Sequence, residues 1–297
     1  MGNAMDQIAV VKPRAAAVLL EPSAVGDVRA ELTFIVRSAT KPVFESAAST
    51  GGAPRLFFET EQHVVPIHDL RRFVGTPALD HEGFELRQHT SGVTDFYDDA
   101  QVEGLYYREV ETLVGQVCGA SRVVVFDVTR RSDGGAGAPN RNGVRGPARR
   151  VHVDYTTHSG PHRTRDVLGV AETERLLANG ARIVQVNVWR PIRGPVQRAP
   201  LAVADAASIR PGDLIATDQI FPDRTGEIYH LAYHPKQRWY YAPRMTPSEV
   251  LLIKGWDTCA DGRARFTPHG AFDPPDVAAG AAARESIEVR TIAVIPR

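Results

Sequence analysis

The 297-residue chain carries 35 basic and 35 acidic side chains, so no global field draws it to nucleic acid or to an anionic membrane. Hydrophobic residues at 43% and charged residues at 24% exclude intrinsic disorder and supply a sizeable core. Two cysteines, Cys118 and Cys259, exclude a disulfide framework and a thiolate zinc site, and no apolar run approaches the roughly 18 residues of a membrane span.

In chain order, the first residues set Lys12, Pro13 and Arg14 inside an apolar stretch, which is the wrong order for a secretory leader, and a cytoplasmic protein is expected. Short extended pieces follow at Glu31 to Arg37 and Arg55 to Thr60, separated by turn-forming Gly, Pro and Ser. Between Ala100 and Gly119, Val102, Leu105, Tyr106, Val110, Leu113, Val114 and Val117 recur at steps of three and four, which predicts an amphipathic helix. Ser121 to Thr129 (SRVVVFDVT) reads as a buried strand. Residues 132–149, rich in Gly, Pro and Arg and without periodicity, read as a mobile insertion. A small helix is predicted over Ala171 to Ala178, and Arg182 to Trp189 alternates with period two. Further strands are expected at Pro200 to Ala204, Asp213 to Thr217, Ile228 to Tyr233, Trp239 to Ala242, Val250 to Ile253 and Ser286 to Ile295. The chain thus reads as one domain, mainly β with flanking helices: N-terminal strands and a helix over about 1–130, the insertion, and a sandwich or barrel over about 150–297.

His152-Val153-Asp154 is the sharpest local feature. In a strand, residues two apart project from one face, so His152 and Asp154 can approach one ion while Val153 packs the other way. An imidazole and a carboxylate suit a ferrous site that needs one further histidine; a surface pair is the plain alternative. His269, His230 and His234 compete for the third place. His269 is the leading candidate, because it precedes the last strand after a loop; His230 reads first as a hydrogen-bonded interior histidine and only second as a ligand, and His234 as a turn residue. His158 and His162 read as loop residues near the same mouth.

A 2-oxoacid chelated to iron needs a cation for its distal carboxylate, and an arginine fork binds it bidentately. Arg284 and Ser286 share one strand face and form the leading pair, with Arg290, of the same parity, as the reserve. Asn187 and Trp189 share parity on their strand and Arg190 does not, so Asn187 is the polar group expected in the pocket. The aromatic residues around Trp239, Trp189 and Trp256 are read as core first and as a stacking wall second.

The segments HVDYT from His152, NVWRPIRGPVQRAPLAVAD from Asn187, HPKQRWYYAPRMTPSEVLLIKGWDT from His234, then TPHGAF and RESIEVR, resemble the CmcJ/NvfI-type family of non-haem iron, 2-oxoglutarate-dependent oxygenases. GFELRQHTSGVTDFYDD and ASRVVVFDVTRR extend the likeness to roughly residues 84–290. The resemblance implies a double-stranded β-helix (jelly-roll) core and oxidative tailoring of a small natural product by hydroxylation, desaturation or rearrangement. It implies Fe(II), 2-oxoglutarate as cosubstrate and O2, with His152, Asp154 and a later histidine as ligands and an arginine near the C-terminal strand as anchor. Arg284 lies 15 residues beyond His269, a longer spacing than is common in related oxygenases. Two rival readings are a cupin-like metal enzyme without the oxoacid and a non-catalytic jelly-roll partner subunit. A small-molecule substrate is the expected partner, no nucleic acid or membrane is expected, and the oligomeric state stays open, a homodimer included.

Overall fold

The computed structural model describes residues 11–13, 26–50, 54–141 and 143–297. The reading of the N-terminal leader falls largely outside the described residues. Two sheets carry the fold. The smaller has five strands in the order Phe84–Gln88, Glu249–Asp257, Arg182–Pro191, Glu285–Ile295, Arg122–Ser132, every pairing antiparallel. The larger curls through eleven strands, and its centre runs Trp239–Tyr241, Leu201–Ala204, His269–Ala271, His152–Val153, Thr225–Leu231, Leu214–Ile220. Strands distant in sequence thus lie side by side, as a double-stranded β-helix requires.

The predicted amphipathic helix forms in pieces: Asp99–Gln101, a π-helical turn Val102–Tyr106 and Tyr107–Cys118. The Asp98 carboxylate accepts from the amides of Ala100 and Gln101 at its start, and Gly119 ends it at φ 66°, where glycine meets no Cβ penalty. Val110 and Val114 are fully buried against Val186, Val188 and Val289 of the smaller sheet, each contributing about 1.5–3 kcal/mol. Leu105, inside the π turn, is the exception to the predicted face and is 38% exposed. On the opposite side of that sheet, Trp189, Leu251 and Ile253 meet Leu201 and Val203 of the larger sheet, so the two close on one another. Val28–Ile35 extends the larger sheet by antiparallel pairing with Thr60–Asp69, and its Ala30, Leu32 and Phe34 alternate into the core.

Several segments differ from expectation: the piece predicted over Arg55 to Thr60 is a strand only at Arg55–Leu56 and at Thr60, and Val43–Glu45 and Phe84–Gln88 are strands that were not predicted. Thr60–Asp69 is a ten-residue strand, where only its first residue was predicted extended; its charged residues and Pro66 hide the pattern. Ser159–Leu168 is a helix, not a loop. Gly160 and Pro161 read as loop punctuation, but proline is tolerated in a first helical turn, and Gly160 is there for packing: a Cβ would come within 2.5 Å of Trp256 Cγ. Residues 132–149 contain a hairpin, Ala138–Asn140 with Gly143–Arg145. The Asn140 side chain holds it to the neighbouring strand, accepting from the amide of Arg130 at 2.7 Å and donating to its carbonyl at 2.9 Å. Among the described residues no helix is long and apolar enough to cross a membrane.

Candidate metal centre

Strand His152–Val153 lies between Thr225–Leu231 and His269–Ala271, and His152 pairs with His230 on one side and His269 on the other. Cross-strand partners share a face. Val153 is fully buried away from it, while His152, Asp154 and His269 bring one ligand atom each to within 4.8 Å of one another. His152 Nε2 stands 3.6 Å from Asp154 Oδ1, and the two imidazole centroids are 4.6 Å apart. Each ring is locked from behind. His152 Nδ1 donates to the Arg150 carbonyl at 2.9 Å and His269 Nδ1 to the Thr267 carbonyl at 3.0 Å. Because a carbonyl only accepts, Nδ1 carries the proton and Nε2 presents its lone pair to the centre, the outer-shell arrangement typical of metal-binding histidine. Burial, and then the neighbouring His152, lower the pKa of His269, which keeps it neutral.

Asp154 is oriented as firmly. Asn187 Nδ2 donates to its Oδ2 at 2.6 Å, and Arg290 adds Nε to Oδ2 at 2.9 Å and Nη2 to Oδ1 at 3.3 Å. Burial pushes this carboxyl up, but Arg290 and the two imidazoles prevail and hold it well below the usual carboxylate range. Oδ2 is engaged from the protein side and Oδ1 turns toward His152, a one-oxygen ligand in waiting. His230, although beside His152, gives Nδ1 to a bond with Thr217 Oγ1 at 3.0 Å and packs on Phe58, outside the ligand cluster. His234 sits in a turn and accepts from the amide of Lys236 at 3.3 Å.

The cosubstrate candidates separate. Arg290 is engaged by Asp154, by Asp127 at 2.6 Å and by Glu288 at 2.9 Å. Arg284 is almost wholly buried; its Nη1 donates to the Ala199 carbonyl at 3.0 Å, its guanidinium lies over Trp189, and its Nε and Nη2 are buried without acceptors. Burial, and then Arg131, push its pKa down to about 9. Ser286, two residues on along the same strand face, is buried too. Arg190 points to the other face, where Nε donates to Tyr106 Oη at 3.0 Å, as its parity predicts. A cavity of about 540 Å³ opens over the cluster; His158, His162 and Tyr155 are in its wall. Sequence reading missed Asp127, Glu288, Arg131 and Arg145 around it. The signals were there for two of them: Asp127 is the lone acid in an apolar strand, and Glu288 shares parity with Ser286 and Arg290.

Two imidazole nitrogens and one carboxylate oxygen converging beside a cavity that His152 and Asp154 line fit ferrous iron with coordination positions left over. A double-stranded β-helix carrying that set is the architecture of a mononuclear non-haem iron oxygenase. Residues 32–294 match a family model described as the Oxidoreductase/YMDC permease-like domain. The Hydroxylase/desaturase efuI of Hormonema carpetanum is 32% identical over 294 residues, 89% of this chain and 94% of that protein. The Fe(II)/2-oxoglutarate-dependent dioxygenase nvfI of Aspergillus novofumigatus is 35% identical over 249 residues, 81% of this chain and 86% of that one. A solved structure of the iron and alpha-ketoglutarate-dependent endoperoxidase NvfI superposes with a TM-score of 0.79 at 28% identity, covering 92% of this chain and all of that one. The chain belongs to this NvfI-type family of Fe(II)/2-oxoglutarate-dependent dioxygenases, and it is an oxygenase that uses iron, 2-oxoglutarate and O2.

Proposed function

We propose that the chain oxidatively tailors a small natural product, with His152, Asp154 and His269 holding Fe(II) and Arg284 with Ser286 receiving the distal carboxylate of 2-oxoglutarate. The observation that carries this is the convergence of the three ligand atoms within 4.8 Å of one another, beside the cavity lined by His152 and Asp154. The relatives named hydroxylase/desaturase and endoperoxidase support the substrate class and the range of outcomes.

When bound, the ferrous ion and the oxoacid supply oxidising power from O2, the oxoacid leaving as succinate and carbon dioxide. The chain's own residues do the placing. The Arg150 and Thr267 carbonyls fix both ring tautomers, and Asn187 and Arg290 keep Asp154 ionised and turned to the centre. The buried, acceptor-less N–H groups of Arg284 offer a planar fork to a carboxylate, and Ser286 offers a hydroxyl beside it. Arg290, with three acidic partners, serves as the positioning residue of Asp154. The whole chain is read as one oxygenase domain, since both sheets contribute to the site, and it is read as a cytoplasmic protein.

The test is iron retention and 2-oxoglutarate turnover to succinate in His152→Ala and Asp154→Ala. Both variants are expected to lose iron and turnover while keeping the far-UV circular dichroism of the parent. Retained succinate formation in both would remove the site.

A further inference from the structure

The cavity wall carries more positive charge than its own acids answer. Lys41 is held by Asp218 at 2.5 Å and Glu227 at 2.6 Å, and Arg290 by its three carboxylates. Arg131 and Arg145 line the same cavity differently. Among the described residues neither has a carboxylate within ion-pair distance. Arg131 donates Nη1 to the Gly146 carbonyl at 2.9 Å, which sets its guanidinium beside the residue following Arg145, and the Nε of Arg145 is buried with no acceptor. Asp127, the acid that attracts Arg145, is already gripped by Arg290. Burial lowers the pKa of both arginines, yet a guanidinium does not lose its proton in a protein. Two partly desolvated cations without an ion-pair partner therefore line one cavity, a costly arrangement that an incoming anion relieves.

Arg145 is also held on a fixed arm. Its hairpin is tied to the Arg130 backbone through Asn140, and to the long helix through Arg141, which meets Asp99 at 3.2 Å and Glu103 at 2.5 Å. A Cβ on Gly137 would come within 2.8 Å of the Arg145 carbonyl, so the hairpin closes tightly behind the residue.

We propose that Arg145 receives a carboxylate on the substrate, held at the cavity wall apart from the Arg284 site of the cosubstrate. The inference rests on the oxygenase reading and narrows its substrate class to anionic molecules. A guanidinium fork matches a planar carboxylate better than a neutral oxygen function. Arg145 lines the open cavity with the metal-site residues, whereas Arg284 is buried behind it, which is why the two cations are given different ligands.

The experiment is anaerobic calorimetry on protein loaded with Fe(II) and 2-oxoglutarate, titrated with 2-naphthoate and with uncharged 2-naphthamide of the same shape. The wild type is expected to bind the acid at least about tenfold tighter than the amide. Arg145→Gln should erase that difference and leave the 2-oxoglutarate concentration that half-saturates the iron chelate unchanged, and Arg145→Lys should keep part of the discrimination. Equal affinities in the wild type, no naphthoate binding, or full discrimination in Arg145→Gln would overturn the proposal. If Arg145→Gln weakens the iron chelate instead, the arginine serves the cosubstrate, and the proposal falls while the enzyme class stands. A wild type that forms no iron–oxoacid chelate at all fails at the earlier reading.

Discussion

Arg290 gives the sharpest perturbation. Its guanidinium meets three carboxylates, Asp154 at 2.9 Å, Asp127 at 2.6 Å and Glu288 at 2.9 Å, and is itself mostly buried. Removing one partner of a buried ion pair costs about 3–5 kcal/mol, because the charges left behind stay desolvated. Asp127 is about a third exposed (34%), so water screens that contact and the lower half of the range applies. At roughly 2 °C per kcal/mol for a domain of this size, Arg290→Met should lower the apo melting temperature by about 6–8 °C. A divalent ion at the site restores part of the lost positive charge next to Asp154. Differential scanning calorimetry with and without Fe(II) under argon should therefore show a larger metal-induced rise in the variant than in the wild type. Equal apo melting temperatures, or a smaller metal-induced rise in the variant, would refute the reasoning that Arg290 neutralises the carboxylates of this site.

Three further outcomes follow from the same geometry. Arg284→Gln should raise the 2-oxoglutarate requirement of the iron chelate at least about tenfold while leaving Fe(II) affinity unchanged, read by titration of the chelate absorbance. Gly160→Ala forces a methyl group against Trp256 and should destabilise the fold by about 1–3 kcal/mol in urea unfolding. Burial, then His152 and Arg150, hold His230 well below its ordinary pKa of 6.5, so the fold disfavours its protonation. That contribution is complete above pH 6.5 and is lost as pH falls below it, so His230→Phe should flatten the apo stability profile between about pH 6.5 and 5; an unchanged slope would exclude His230 as its source.

Much of the site was legible because strand parity is a local rule. His152 and Asp154 needed only the two-residue alternation, and the later strands were found but not all bounded: Val250 to Ile253 runs on to Asp257, and Ile228 to Tyr233 begins already at Thr225. The choice of His269 over His230 was not local. Both are cross-strand neighbours of His152, and the difference lies in what each Nδ1 finds: the carbonyl of Thr267 frees one Nε2 toward the centre, whereas Thr217 Oγ1 holds the other ring outside the ligand cluster. Nor could spacing along the chain divide the arginines. Arg284 and Arg290 share parity, and what distinguishes them is the set of acids brought beside Arg290 by Arg122–Ser132 and by Asp154. The helix Ser159–Leu168 stayed hidden because its Gly160 answers to a tryptophan 96 positions away.

The central claim is that two histidines and one aspartate hold a ferrous ion with room for the oxoacid. Anaerobic addition of Fe(II) and then 2-oxoglutarate, followed by visible absorption, tests it most directly. The account predicts a weak charge-transfer band that saturates at one equivalent of each and vanishes in His269→Ala; a wild-type protein that gives no band, or a band that persists without His269, would contradict it.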